Sequence, residues 1–239
     1  MSEELINYLE KIETWDSEEI FLRDALVLAS AKLIRTCHEQ NTIFNIVTIP
    51  PLLRQVHENF IVIIGLSERV ITTENFINEK HRPKNIMNSI KKNKLEVDEI
   101  NFDIFNEYLI RMKEMLNKYS HTSFEGVMTL FTERFQVYES QQFNKIMMKF
   151  IISLIEAPFL VMANYIYKLN LELPKAENIK KELKELNNLK YISRHFPDSI
   201  KDFISKSDVL RNYYQNLMVD FKKTLEDFKI MRNPKENIH

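Results

Sequence analysis

Apolar residues recur along most of this chain at intervals of three and four positions, the spacing that gathers side chains on one face of an α-helix. The segments that fit this spacing best are residues 2–13, 16–40, 51–79, 101–120, 139–171 and 208–231. Glycine and proline are scarce, whereas leucine, isoleucine, lysine and glutamate are abundant. The pattern therefore predicts an all-α protein, a bundle of six or seven helices.

Two segments are apolar enough to lie at the centre of the bundle. Residues 60–66 are apolar on nearly every side of their helix. Residues 150–167 are almost entirely apolar, and the residues in them that strongly disrupt an apolar helix are Glu156, Pro158 and Asn164. This second run approaches the ~18 apolar residues of a membrane span, but its acid and its proline favour a buried bundle helix. We therefore expect no membrane contact, and keep a membrane-associated protein as the minor alternative.

Prolines and acids mark where the predicted helices begin, bend and end. Asp16 is the expected cap of the second helix, and Pro50-Pro51 suits the first turn of the central one. Pro158 removes the hydrogen bond to the Leu154 carbonyl, which predicts a kink there. Beyond Pro174 the sequence is rich in charged residues, and its apolar residues form only a narrow stripe along the predicted helix. The expected organisation is a single domain over residues 1–239, with a core at 16–171, a helical extension at 174–231 and a loose tail at 232–239.

Composition excludes several common kinds of site. Gly65 and Gly126 are the only glycines, too few for phosphate loops, dinucleotide fingerprints or a nucleophile elbow. Cys37 is the only cysteine, so neither an internal disulfide nor a cysteine-based zinc site can form, and a reducing cytosol is expected. The net charge of -1 gives no global attraction to nucleic acid. No two histidines are four residues apart, and we expect neither a metal nor a cofactor.

Polar side chains crowd together at residues 119–123, where the helix from Asn101 or Asp103 is expected to end. His121 is the strongest candidate for a catalytic residue in this group. Asn117 and Lys118 lie four and three residues before it, so the three side chains could converge at one helix end. A histidine near a helix C-terminus is favoured electrostatically in any case, and on spacing alone a capping or solvent-exposed ring is the commoner outcome.

A catalytic His121 would act as a general base or acid, with nearby cations stabilising phosphate charge. Lys118, Arg111 and Arg54 are the candidate cations. The hydroxyls of Tyr119 and Ser123 would help to bind the substrate.

Two further features of the sequence concern charged residues on apolar helices. Arg54 and Glu58 are four residues apart, and Gly65 continues their stripe, which predicts a half-buried ion pair beside a closely packed helix. A structural role for this pair is favoured over one in orienting a site residue. Glu156 must be paired, protonated or facing a cavity, because an isolated buried charge is too costly. Its expected partner is Arg54, His121 or a backbone donor, and an internal ion pair is favoured over a catalytic acid.

The segments around Arg54-x-x-x-Glu58 and from Leu116 to Ser123 carry a family resemblance. They resemble bacterial all-helical proteins that show an Arg-x-x-x-Glu-aromatic helix and a later Tyr/Leu-Ser-x-x-x-His-Pro-Ser segment. These proteins are similar to HEPN-type helical bundles, which occur in toxin–antitoxin and phage-abortive systems. The resemblance covers about residues 50–130, and Thr122 stands where such proteins often have proline.

The resemblance implies a metal-independent ribonuclease built on a dimeric helical bundle, that is, a homo-oligomer. Active HEPN nucleases carry Arg-x(4–6)-His, but no arginine occupies the corresponding positions before His121. Arg232 and His239 match this pattern formally, yet Pro234 lies between them at the C-terminus, where coincidence is the better explanation. Either Lys118 takes the place of the arginine, or the bundle has kept the fold without cleavage.

These observations favour an RNA-directed defence or toxin–antitoxin component with His121 as general base. Its expected partners are RNA, an antitoxin or effector protein, and further copies of itself. The alternative is a non-catalytic helical interaction module in which the same polar residues are structural.

Overall fold

The computed structural model describes residues 2–43, 45–78, 82–93, 99–120 and 138–175, and beyond them 177–178, 180–181, 184–185, 202, 206–212, 216, 219 and 223. The bounded helices are α1 (Ser2–Leu9), α2 (Glu18–Thr42), α3 (Ile49–Ser67), α4 (Thr73–Ile77), α5 (Pro83–Asn93), α6 (Glu99–Ser120) and α7 (Tyr138–Tyr167). These residues contain no strand, which confirms the all-α prediction. Helical residues also occur at 208–212, so the prediction of six or seven helices is too low.

Helix α3 lies at the centre of the bundle, in contact with α2, α5, α6 and α7. Pro50 and Pro51 occupy its first turn, as predicted. The side chains of Phe60, Ile63 and Leu66 are at most 5% exposed. Full burial of each such side chain contributes roughly 1.5–3 kcal/mol, so this helix is a main source of the stability of the core. The prediction that residues 60–66 are central is confirmed.

Cross-helix contacts show that α2 and α3 run antiparallel. The amide of Asn59 donates to the Ser30 hydroxyl at 3.1 Å, and the Cys37 thiol lies 3.9 Å from the Ile49 carbonyl oxygen. As the residue number rises along α2, it falls along α3. The two buried polar side chains satisfy each other inside an otherwise apolar contact.

Helices α2 and α7 are also antiparallel, and a buried carboxylate joins them at one end. Asp24 accepts hydrogen bonds from the Tyr167 hydroxyl at 2.7 Å, from the Trp15 indole at 3.2 Å and from the Arg23 guanidinium at 2.8 and 2.9 Å. Burial, and next the hydrogen bond to Asp24, raise the pKa of Tyr167. The tyrosine therefore remains a hydrogen-bond donor to this carboxylate at any pH at which the protein is studied.

The long helix predicted to follow the proline pair is in fact divided in two. Arg69 adopts a left-handed backbone conformation, with φ of 56°. The Arg69 N–H donates to the Leu66 carbonyl at 3.1 Å, and the Val70 N–H donates to the Gly65 carbonyl at 2.9 Å. These two bonds form a Schellman motif, which commonly has glycine at the left-handed position. Because an arginine stands there, the sequence lacks the usual signal for a helix end.

Hydroxyl side chains begin two of the helices. The Ser17 hydroxyl accepts from the Ile20 N–H at 3.3 Å and caps α2, and the Thr72 hydroxyl accepts from the Asn75 N–H at 3.2 Å and caps α4. The predicted cap of α2, Asp16, is therefore wrong by one residue. Aspartate and serine are almost equally good caps, so the sequence could not separate two such neighbours.

Close packing at Gly65 is confirmed. A Cβ atom placed there would lie 2.6 Å from Ile71 and 2.8 Å from Ile86, both impossibly short. Ile86 belongs to α5, so a second helix does approach the α3 backbone at this point. The glycine is needed for space rather than for an unusual backbone angle.

Helix α7 runs through Pro158 without ending. Because proline has no N–H, the carbonyl of Leu154 loses its partner within the helix. The Tyr108 hydroxyl, on α6, donates a hydrogen bond to this carbonyl, and the tyrosine is fully buried. The bond that the proline removes is thus replaced by one that joins two helices.

Among the described helices, one is long and apolar enough to cross a membrane by length and composition alone. This is the Asn144–Tyr167 part of α7, and 67% of its most apolar window is buried inside the bundle. Such burial is typical of the core helix of a globular protein. The expectation that residues 150–167 form a buried bundle helix is therefore supported.

The Tyr108 hydroxyl provides a test of this packing. In Tyr108→Phe the buried Leu154 carbonyl loses its donor, and we expect the free energy of unfolding in urea to fall by about 1–3 kcal/mol. Tyr165→Phe is the matched control, because Tyr165 lies on the same helix as Leu154 and is 70% exposed, and it should change stability by less than about 0.5 kcal/mol. Equal effects of the two substitutions would contradict the assignment.

Candidate acid–base site on helices α2 and α7

Glu156 is almost completely buried in the long apolar helix α7, with 2% of the residue exposed. Its Oε2 atom lies 2.9 Å from Nε2 of His38 on α2. Because an ionised carboxylate can only accept, Nε2 donates in this bond. The structure therefore supplies the internal partner that a buried carboxylate requires, but this partner is His38 rather than one of the residues expected from the sequence.

The two members of this pair differ sharply in exposure. The His38 side chain is 43% exposed, whereas that of Glu156 is 3% exposed. A buried carboxylate that holds one nitrogen of a solvent-accessible imidazole is the arrangement that orients a catalytic base. With Nε2 committed to Glu156, Nδ1 is the nitrogen left to accept a proton.

A cation lies one helical turn from His38. Arg35 precedes it by three residues and so lies on the same side of α2. The Arg35 side chain is 42% exposed, and its Nε atom is 3.8 Å from Glu39, a surface pair at the limit of ion-pair distance. Such pairs contribute little to stability, so the guanidinium can turn to an anion beside the imidazole.

Sequence reasoning missed His38, because it is separated from Glu156 by 118 residues and no local pattern links the two. The only available signal was the unpaired acid in an apolar helix. That signal predicts that a partner exists without identifying it.

The predicted pair of Arg54 and Glu58 is present on α3. The Arg54 Nε atom lies 3.1 Å from Glu58 Oε1, and the two side chains are 32% and 40% exposed. Glu156 belongs to the separate contact with His38 described above. The structure thus places these three predicted residues in two contacts, Arg54 with Glu58 and Glu156 with His38.

The remaining predicted site residues lie at or beyond the end of α6. Asn117 has a buried Oδ1 atom without a hydrogen-bond partner in the part of the chain described. Lys118 and Tyr119 belong to the last turn of α6, and their side chains lie outside what the structure describes. His121 and Ser123 lie outside the described residues altogether. The proposed roles of these five residues therefore stay predictions.

His57 is a buried histidine between α3 and α6. Its Nε2 atom donates to the Leu109 carbonyl at 2.8 Å, and its Nδ1 atom is buried without a partner. Burial lowers the pKa of His57 to about 4, against the opposing effect of the bond to Leu109. The ring is neutral at pH 7 and only 3% exposed, so it is a structural residue rather than a second base.

Two other kinds of chemistry find no support among the described residues. Burial raises the pKa of Cys37 to about 12, which leaves its thiol protonated and unreactive. No group of three histidine, cysteine, aspartate or glutamate side chains is placed to hold a metal ion in the described ranges. The observation that points to proton transfer is the His38–Glu156 pair itself.

No family model, no curated protein and no solved structure matches the chain. The HEPN-like resemblance thus rests on the two sequence motifs alone.

The buried His57 makes stability depend on pH. The unfolded state takes up a proton near pH 6.5 and the folded state only near pH 4, so stability is full above about 6.5 and falls between these values. From the width of this window we expect a loss of roughly 3 kcal/mol on acidification from pH 7 to 4.

His57→Gln, which keeps a donor for Leu109 but does not titrate, should remove this part of the loss. Urea unfolding at a series of pH values measures it. Parallel pH profiles for the variant and the unmodified protein would show that His57 does not cause the effect.

Proposed function

We propose that this protein is a metal-independent ribonuclease of the HEPN-like kind, in which His38 is the acid–base residue and Glu156 orients it. The observation that supports the proposal is the His38–Glu156 pair, with a buried carboxylate and a half-exposed imidazole at 2.9 Å. This pair has the relation of base to orienting group that proton-transfer enzymes use.

The chemistry needs no group beyond these side chains and the RNA. Nδ1 of His38 takes the proton of a ribose 2′-hydroxyl, whose oxygen attacks the adjacent phosphorus. The bond from phosphorus to the 5′-oxygen breaks, leaving a 2′,3′-cyclic phosphate, and a proton is returned to the leaving oxygen. Arg35 stabilises the charge that develops on the phosphoryl oxygens.

The wider role comes from the family resemblance. A defence or toxin–antitoxin function, an antitoxin or effector partner and a homo-oligomeric state belong to the proposal on that basis. A cytoplasmic location belongs to it because the chain has a single cysteine. His121, with Lys118 as its cation, is the rival position for the base, and the experiment below separates the two histidines.

A second candidate is a non-catalytic helical interaction module. Val161 and Tyr165, one turn apart on α7, favour it, because they are 47% and 70% exposed and so present apolar surface to solvent. In that case the Glu156 carboxylate is structural, and its substitution changes the melting temperature while no RNA-cleaving activity is present in any variant.

Incubation of the purified protein with end-labelled RNA in the presence of EDTA tests the proposal. His38→Gln keeps an amide that can donate to Glu156 but cannot carry a proton, so we expect the cleavage rate to fall by about 10²- to 10⁴-fold with the fold intact. Glu156→Gln should lower the rate less, because the base remains but loses its orientation.

Glu18→Gln is the matched control, an exposed carboxylate in the first turn of the same helix as His38, and should cleave at the unmodified rate. His121→Ala is measured in parallel. Loss of cleavage in His121→Ala with full activity in His38→Gln would move the base to the position expected from the sequence. Intact RNA with the unmodified protein would overturn the nuclease proposal itself.

A further inference from the structure

A cavity of about 460 Å³ lies between the first turns of α2 and the segment that follows α3. Its size is within the range of small-molecule sites. Ile20, which lines it, is 18 residues from His38, so the cavity is about 27 Å away from the acid–base pair along α2. It is therefore a separate feature from the proposed nuclease site.

Two opposite charges line the cavity without forming an ion pair. Glu19 lies on the α2 side and Arg69 on the side of the segment after α3. Within the described residues, neither side chain is in ion-pair contact with another charge. Hydrogen bonds from its own backbone N–H and from Ser17, with smaller contributions from Thr73, lower the pKa of Glu19, so its carboxylate is ionised. Because the carboxylate and the guanidinium line one cavity without pairing with each other, a ligand that carries both a positive and a negative charge could pair with each of them.

The backbone of Arg69 is held in a conformation that favours glycine. Its left-handed φ of 56° costs an arginine about 1–2 kcal/mol. The Schellman motif needs only the backbone there, so the side chain is not required for ending α3. The other arginine of the cavity, Arg23, is already bound to Asp24 through two hydrogen bonds. Arg69 is thus the cation that the cavity offers to a ligand.

The rest of the lining combines three apolar side chains with the hydroxyls of Ser17, Ser67 and Thr72. The Ser17 and Thr72 hydroxyls are already engaged as the caps of α2 and α4. Ile20, Leu66 and Ile71 supply hydrocarbon surface. The Ser67 hydroxyl oxygen is buried and has no hydrogen-bond partner among the described residues. A ligand with an apolar body and one further polar group would match both features.

We propose that this cavity binds a small amphoteric molecule, an amino acid or dipeptide with an apolar side chain, whose carboxylate pairs with Arg69 and whose ammonium group pairs with Glu19. The side chain of the ligand packs on Ile20, Leu66 and Ile71. Binding there stabilises the junction of α2 and α3 by mass action, because the unfolded chain has no such cavity.

Calorimetric titration with L-leucine and with leucyl-leucine tests the proposal. Whichever of the two binds more tightly shows whether the cavity suits an amino acid or a dipeptide. Leucinamide lacks the carboxylate and isocaproate lacks the ammonium group, so each should bind at least tenfold more weakly than leucine. Absence of binding by both leucine and the dipeptide at millimolar concentration would overturn the proposal, and so would equal binding by either singly charged analogue.

Arg69→Gly is the most informative variant, because misfolding cannot explain a loss of ligand affinity in a protein whose melting temperature rises. Glycine relieves the left-handed backbone, so the melting temperature should rise by about 2–4 °C while ligand affinity falls at least tenfold. Glu19→Gln should weaken binding similarly. Lys113→Gln and Glu39→Gln remove single charges elsewhere on the surface and should bind as the unmodified protein does. Unchanged affinity in Arg69→Gly would contradict the assignment.

Discussion

The buried carboxylate of Glu156 is the constraint on which much of this structure depends. A carboxylate inside the long apolar helix α7 is tolerable only with a partner, and His38 on α2 provides it at 2.9 Å. The contact fixes which part of α2 faces the middle of α7. It also leaves the imidazole half in solvent with one nitrogen free. The need to pair a buried carboxylate thus aligns two helices and produces a side chain suited to proton transfer.

Half a turn from Glu156, helix α7 has a second buried polar group that needs a partner from another helix, the carbonyl of Leu154. Pro158 leaves the Leu154 carbonyl without a helical donor, and the Tyr108 hydroxyl of α6 supplies one. A uniformly apolar helix packs in many rotations and registers with similar energy. Two polar groups, each with a single partner on a different helix, exclude most of these alternatives.

The local features of the fold could be predicted from the sequence, whereas the long-range ones could not. Spacing located α1, α2, α6 and α7, the proline pair marked the start of α3, and Gly65 marked a close helix contact. The end of α3 was missed, because Arg69 occupies a position where glycine is the usual signal. His38 was missed because its pairing depends on tertiary packing. His121, favoured from its local surroundings, lies outside the described residues and stays a prediction.

A double-mutant cycle on His38 and Glu156 measures how strongly the two side chains are coupled. His38→Leu should lower the free energy of unfolding by about 1–3 kcal/mol, because it leaves a buried carboxylate without its donor. In a protein that already carries Glu156→Leu, the same substitution should cost less than about 0.5 kcal/mol, since no buried charge remains to be satisfied. An equal cost of His38→Leu in both backgrounds would show that the two side chains are not coupled, and would contradict the account.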